Sequence, residues 1–433
     1  MRLLIKGVTI VTMNHQNEII KNGAMLVEDG IITYVGSESG LTVDQLNEAN
    51  IIKNESSKVM LPGLINTHGH AAMSLLRGYA DDLPLQEWLQ EKMWPMEGQF
   101  TSDHVKWGAQ LAMVEMLKSG TTCFVDMYDH MDQVAEGVEL SGMRAVLTRG
   151  VIGLCSEEER QRKLQEAFDF ARNWHGQAGG RITAMMSPHS SYTCSPEYIL
   201  QIMNKAADLH LPVHIHMSET MREVEQNVKE YGKRPVQHLL DLGVFSHPVL
   251  VAHAVHINEE EMTIMAENNV HVSHNPGSNL KLGSGIAPVP RMLEKGISVS
   301  LGTDSAASNN NLDLFEEIRL AALIHKGVSH DPTVIPASVA LKMGTIYGAE
   351  SIFIQDIGSL EVGKKADFIL LDTKQAHFHP EHDIISQLVY SASGQDVTDV
   401  YVEGKQVVNH GQCLYLDEER IIYEVNRLVS KMN

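Results

Sequence analysis

Eight short apolar runs, each followed by an amphipathic segment, fill the middle of the chain and restrict what it can fold into. They read "VMLPGLINTH", "TTCFVDMY", "RAVLTRGVI", "ITAMMSPHS", "PVHIHMSE", "PVLVAHAVH", "VHVSHNP" and "ISVSLGTDS". Between them, stretches such as "SDHVKWGAQLAMVEMLKSG" and "SPEYILQIMNKAADLH" repeat apolar residues near i, i+3 and i+4 and carry Ser, Thr or Asp caps or a closing Gly, as amphipathic helices do. Eight strand-then-helix units predict an α/β fold, a (β/α)8 TIM barrel over residues 59–355. The ends of the chain read differently. "LLIKGVTIVTM" and "AMLVEDGIITYVG", with Asp29-Gly30 as a hairpin signal, are matched near the C-terminus by "KKADFILLD" and "DVYVEGKQVVNHG". Residues 1–58 and 356–433 are therefore expected to form one small β-sandwich from both chain ends, with a terminal helix.

Composition removes several classes of function. The 433 residues suffice for such a core. A net charge of -21, from 34 Lys+Arg against 55 Asp+Glu with no basic block, argues against a nucleic-acid partner. The four cysteines are scattered and form no C-x-x-C pair, as in a reduced compartment, so a cytoplasmic setting is expected. Lys6 interrupts the apolar N-terminal run and no small-residue cleavage site follows, which argues against secretion. No continuous apolar stretch reaches the length of a membrane span.

In a barrel of this kind the C-terminal ends of the strands gather at one mouth. The first run ends in His68-Gly69-His70, the fourth in His189, the fifth in His214-Ile215-His216 with Glu219 three residues on, the sixth in His253, the seventh in His274 and the eighth in Asp304. With 22 histidines in 433 residues, about one H-x-H pair arises by chance, so no single pair decides the matter. His377 and His379, outside the barrel pattern, are read as a surface turn. His68 and His70 share one face of a strand, because side chains alternate with a period of two, and can grip one ion together. Imidazole suits Zn2+, whose catalytic sites combine about three protein ligands with an open position for water. His216 and Asp304 are the natural completions. Spacing alone does not separate His214 from His216; His216 lies nearer the strand end, and His214 is expected to be a hydrogen-bonded core histidine. Glu219 is the candidate general acid/base, against the plainer role of a glutamate favoured by the N-terminus of the following helix. Asp304 can accept a proton from water, and His253 can steer that water.

Taken together, "PGLINTHGH", "HIHMSE", the His253 strand, "GTDS" and "GSLEVGKKADFILLD" resemble the amidohydrolase superfamily over essentially the full length. The resemblance implies the barrel and the two-ended sandwich. Strand four, "ITAMMSPHSS", lacks the lysine that bridges two metals in dihydroorotases and hydantoinases, which implies one metal per subunit, zinc or another divalent ion. Absence of Pro-Cys-x-x-Cys separates the chain from cytidine-type deaminases. Within the superfamily, "HAAMSLLRGYADDLPLQEWL", "HNPGSNLKLGSGIAPV" and "GTDSAASNNNLDLFEE" resemble the 5-methylthioadenosine/S-adenosylhomocysteine deaminases. That resemblance implies zinc on His68, His70, His216 and Asp304, and substrate contacts at Glu97, Arg149, His189, Glu219 and Asp304. Glu97 would meet the ribose hydroxyls, Arg149 the homocysteine carboxylate, and His189 the sugar side. The implied partner is a small nucleoside thioether whose adenine 6-amino group is replaced by water; a homo-oligomer stays open. Deamination or dechlorination of another ring is the nearest alternative, and a catalytically silent scaffold barrel is the alternative of another class. Met93, Met96, Met127, Met185, Met186 and Met217 fall near strand ends or the first loop and can line a thioether pocket, although methionines there are more often core.

Overall fold

The structure is a computed structural model that describes residues 1–432. All eight apolar runs contain parallel barrel strands: Leu64–Asn66, Thr121–Tyr128, Arg144–Val151, Ile182–Ala184 continued by Ser187–Pro188, Val213–Met217, Val249–His253, His271–His274 and Val299–Leu301. Strands covered on both faces read as continuous apolar runs, and Val213–Met217 and Val249–His253 are buried at every position. Hydrogen bonding groups them as one to four and five to eight. Single bridges join the groups, Met186 to Val213 and Ser190 to His216 on one side and Gly69 to Asp304 on the other.

The second seam builds the site. Thr67 N–H donates to Leu301 O at 2.9 Å and Asp304 N–H to His68 O at 3.0 Å. Asn66 fastens the same seam through its side chain, donating to Thr303 Oγ1 at 2.7 Å and accepting from Thr303 N–H at 3.1 Å. Strand eight comes close here because residue 302 is glycine; a Cβ would stand 2.8 Å from His68 Cβ and 2.5 Å from Asn275 Oδ1. Closing the barrel thus sets His68 beside Asp304.

The stretch "VMLPGLINTH" is two strands rather than one. Lys58–Pro62 pairs parallel with Arg2–Val11 and antiparallel with Phe368–Asp372 in the terminal sheet, and only Leu64–Asn66 enters the barrel. The expected boundary after residue 58 falls inside the first of these strands. Gly63 makes the crossing: a Cβ there would lie 2.0 Å from Thr122 Oγ1. The sheet has nine strands drawn from both chain ends, and it curls until its far hairpins meet, Gly30 lying against Glu403. Ile5, Met25 and Ile32 then share an apolar cluster with Phe368 and Tyr401. The terminal helix Glu418–Val429 returns to the barrel helix Ser102–Lys118 through a 2.9 Å Lys118–Glu418 ion pair.

After the first strand the chain makes the short helical turns Ala71–Leu76, Leu85–Glu87, Trp88–Met93 and Trp94–Glu97. Met73, Leu85, Trp88, Met93 and Met96 pack there with Ala307 as a cluster separate from the main core. This segment walls one side of the mouth.

Candidate active site

At the carboxyl mouth four imidazoles and one carboxylate converge. Ligand atoms of His68, His70 and His216 lie within 4.8 Å of one another, as do those of His68, His253 and Asp304. Asp304 Oδ1 is 3.5 Å from His68 Nε2 and 3.3 Å from His70 Nε2. Three residues at this rim, Ser218, His253 and Asp304, have φ of 53°, 76° and 59°, left-handed values that side-chain-bearing residues hold only when their surroundings enforce them.

Hydrogen bonds from behind fix which ring nitrogen faces the centre. His214 Nδ1–H donates to Leu250 O at 2.9 Å, so its Nε2 must accept from His68 Nδ1–H, also at 2.9 Å. His70 Nδ1–H donates to Met127 O at 2.6 Å and His216 Nδ1–H to His189 O at 2.9 Å. Each of the three is thereby left with Nε2 pointing inward as a potential ligand atom, the arrangement in which metal-ligating histidines are held. His68 Nε2 is buried with no hydrogen-bond partner among the described residues. Asp304 Oδ2 is taken by Ser278 Oγ at 2.6 Å and Ser308 Oγ at 3.0 Å, leaving Oδ1 for the centre. Burial keeps His68 and His216 well below the ordinary histidine range, hence neutral. Burial also opposes protonation of His70, but the Asp304 carboxylate outweighs it and pushes His70 up to about 9. A proton shared there is what a cation would replace. Three imidazole nitrogens and a carboxylate oxygen around an unsatisfied buried atom fit a divalent metal ion of the zinc type. His214, with both nitrogens engaged, braces His68.

Glu219 stands at the edge of this cluster, its Oε2 3.7 Å from His253 Nε2. Burial first, then the nearby Asp304 and Glu223 charges, raise its carboxyl well above the usual range. Such a shift favours the protonated form, the direction a general acid needs. His253, lowered to about 4 chiefly by burial, is neutral, and its Nδ1 meets the side-chain amides of Asn275 and Asn279 at 3.2 and 3.0 Å.

Above the cluster lies a cavity of about 490 Å³. Glu97, Arg149, His189, Glu219 and Asp304 all line it. Glu97 accepts a 2.5 Å hydrogen bond from Tyr128 OH, and burial raises its carboxyl. His189 is lowered to about 3, mainly by burial, and its Nδ1 lies 3.0 Å from Thr193 Oγ1. Arg149 is already engaged, with Gly150 O at 2.6 Å, Asp129 at 3.1 Å and Glu166 at 3.3 Å. Sequence reading missed Lys163, Trp88, Trp94 and Phe100, which also face the cavity. Of the six methionines, only Met127 lines it; Met185, Met186 and Met217 are core and Met93 and Met96 pack within the first loop. Met217 illustrates the reason: it follows His216 on a strand, so it points to the opposite face. His274 also turns away, its Nε2 3.4 Å from His325 Nε2.

Below the rim, Glu317 is wholly buried and accepts from Gly277 N–H at 3.0 Å and Asn309 Nδ2 at 2.7 Å. Burial pushes its carboxyl from 4.5 up to about 8 despite these bonds. A raised folded-state pKa means the native state holds the proton more tightly than the unfolded one, so this contribution to stability is complete below 4.5 and is lost as pH rises through about 8. Glu317→Gln is expected to flatten the decline of unfolding free energy between these two values, measured by urea titration at stepped pH.

A closed parallel barrel with imidazoles and a carboxylate converging at its carboxyl mouth, beside a buried glutamate, defines the class of metal-dependent hydrolytic barrels. The chain belongs to the amidohydrolase family, whose model matches residues 59–407. A relative from Desulforamulus reducens named 5-methylthioadenosine/S-adenosylhomocysteine deaminase is 49% identical over 436 residues, covering 100% of this chain and 99% of its own. Among solved structures, a zinc-bound adenosine deaminase from Xanthomonas campestris superimposes with a TM-score of 0.93 at 32% identity, covering 99% of this chain and 98% of that one. A zinc complex of atrazine chlorohydrolase from Arthrobacter aurescens gives 0.91 at 25% identity, covering 99% and 100%. Among the described residues no helix is long and apolar enough to cross a membrane.

Proposed function

We propose that the protein is a zinc-dependent aminohydrolase, with one ion per subunit, that removes the adenine 6-amino group of S-adenosylhomocysteine and 5'-methylthioadenosine, with adenosine as a further candidate substrate. The products are S-inosylhomocysteine or 5'-methylthioinosine and ammonia. The observation that carries the reading is the buried Glu219 carboxyl beside a ligand set whose His68 Nε2 has no hydrogen-bond partner among the described residues. The substrate class rests on the relative named for it. A cytoplasmic setting fits the four free cysteines.

His68, His70, His216 and Asp304 would hold the ion, which supplies Lewis acidity that brings the pKa of a water from about 15.7 to near 7. Neutral His253 orients the attacking water through Nε2, and Asp304 Oδ1 accepts its proton. Glu219 donates its proton to the ring nitrogen next to the attacked carbon, so that carbon becomes electrophilic; the Glu219 carboxylate then takes the proton of the added hydroxyl and passes it to the amine, which leaves as ammonia, and the proton held by Asp304 returns to Glu219. Glu97 accepts hydrogen bonds from ribose hydroxyls, and His189 meets the sugar side. The aromatic rings of Trp88, Trp94 and Phe100 exclude water around the apolar thioether.

The test is ammonia release from zinc-loaded protein given S-adenosylhomocysteine, methylthioadenosine, adenosine or guanine separately. Release from the two thioethers supports the reading, release from guanine alone transfers the chemistry to another ring, and no release from metallated protein favours the scaffold. The two thioethers differ in the amino-acid tail. Arg149 shares its charge with Asp129 and Glu166, whereas Lys163 contacts Cys155 Sγ at 3.7 Å and has no carboxylate partner among the described residues. Lys163→Gln is expected to raise KM for S-adenosylhomocysteine about fivefold, on the order of 1 kcal/mol for a half-exposed ion pair, and to leave methylthioadenosine unchanged in steady-state assays.

A further inference from the structure

The turn that carries Glu219 is held by a second glutamate. Strand Val213–Met217 ends at Ser218, whose φ of 53° lies in the left-handed region. Such a conformation is disfavoured for a residue with a side chain, so something must hold it. Ser218 N–H donates to Glu223 Oε1 at 2.9 Å, and Glu219 N–H donates to Glu223 Oε2 at 2.8 Å. One carboxylate thus takes both amides of the turn.

Helix capping does not account for this contact. Glu223 is the third residue of helix Met221–Tyr231, and Thr220 already caps it by accepting from Glu223 N–H at 3.2 Å. In a capping box, the glutamate at that position reaches back to the N–H of the capping residue itself. Here the carboxylate reaches past Thr220 to the two residues before it. The side chain is also expensive where it stands: Glu223 is 2% exposed, and no lysine or arginine pairs with it among the described residues. A buried carboxylate without a cation persists only where its hydrogen bonds secure something in return.

We propose that Glu223 is a positioning residue that grips the Ser218 and Glu219 amides together, locks the left-handed turn and aims the Glu219 carboxyl into the cavity. This rests on the reading of Glu219 as the proton donor. Glu223 does not itself line the cavity and meets it only through the Glu219 amide, so its effect passes through Glu219.

Glu223→Gln keeps the volume but offers one acceptor atom in place of two, so one amide loses its partner. With zinc-loaded protein and methylthioadenosine, kcat is expected to fall at least tenfold while KM and metal content stay within twofold of wild type. Amide hydrogen exchange at Ser218 and Glu219 is expected to accelerate at least tenfold, with the core of helix Met221–Tyr231 still protected. Should Glu223→Gln fail to fold, Glu223→Asp, which keeps both oxygens but withdraws them by one methylene, is expected to give the same split. A kcat within twofold of wild type, unchanged exchange, or KM and metal content moving in step with kcat would overturn the proposal. Wild type that deaminates none of the nucleosides would instead overturn the reading of the function, while the exchange measurement still tests the clamp.

Discussion

Glu219→Gln is expected to lower kcat for deamination by about 10²- to 10⁴-fold, with metal content unchanged and KM within a few fold. Glutamine keeps the shape and one acceptor but cannot deliver a proton. The ring nitrogen must gain one before its neighbouring carbon accepts a hydroxide, and the amine must gain another before it departs. Both steps therefore lose their donor together. Glu219 is equipped for the task because burial, reinforced by Asp304 and Glu223, holds its carboxyl well above the ordinary range. Its proton is lost as pH rises through that elevated value, so the wild-type rate should fall on the alkaline side and the residual rate of the variant should not follow the same limb. Measuring kcat and KM across pH beside metal analysis checks this. Loss of metal with activity would make Glu219 a ligand, and an unchanged kcat would pass the acid role to another group.

The barrel was legible in the sequence because strands covered on both faces are short apolar runs; His68 and His70 were expected on one face of a strand, whereas the strand ends at Asn66 and both stand just beyond it, brought beside Asp304 by the barrel seam. What sequence missed depended on which element a residue joins. An apolar run looks the same whether it lies in one sheet or two, so Lys58–Pro62 and Leu64–Asn66 read as a single strand; only the close approach of Gly63 to Thr122 parts them. The choice between His214 and His216 turned on hydrogen bonds to Leu250 and His189, from strands far away in sequence. Arg149 lines the cavity, but its ion pairs with Asp129 and Glu166 come from segments the sequence does not set beside it. Glu223 carried no signal in the sequence because its partners are main-chain amides, which no side-chain pattern announces.

Removing the divalent ion with a chelator is expected to abolish deamination and to destabilise the fold, since a ligand bound only by the native state contributes about 4.1 kcal/mol at a thousandfold its Kd. Thermal unfolding with and without added zinc, beside the ammonia assay, measures both effects. The stability loss follows from the same feature that makes the site a ligand set: His68 Nε2 is buried without a partner, and His70 and Asp304 otherwise share a proton. His214→Phe separates ligand from brace. It removes the acceptor that fixes His68 Nδ1–H at 2.9 Å while leaving all four proposed ligands in place, so metal affinity should fall about 10- to 100-fold and activity should return at high zinc. His216→Ala, which deletes a ligand atom, should not be restored by zinc at any concentration that wild type tolerates. If both variants were rescued equally, His214 and His216 would be equivalent supports and the set would have to be redrawn around His253, whose ring lies within the same 4.8 Å group as His68 and Asp304.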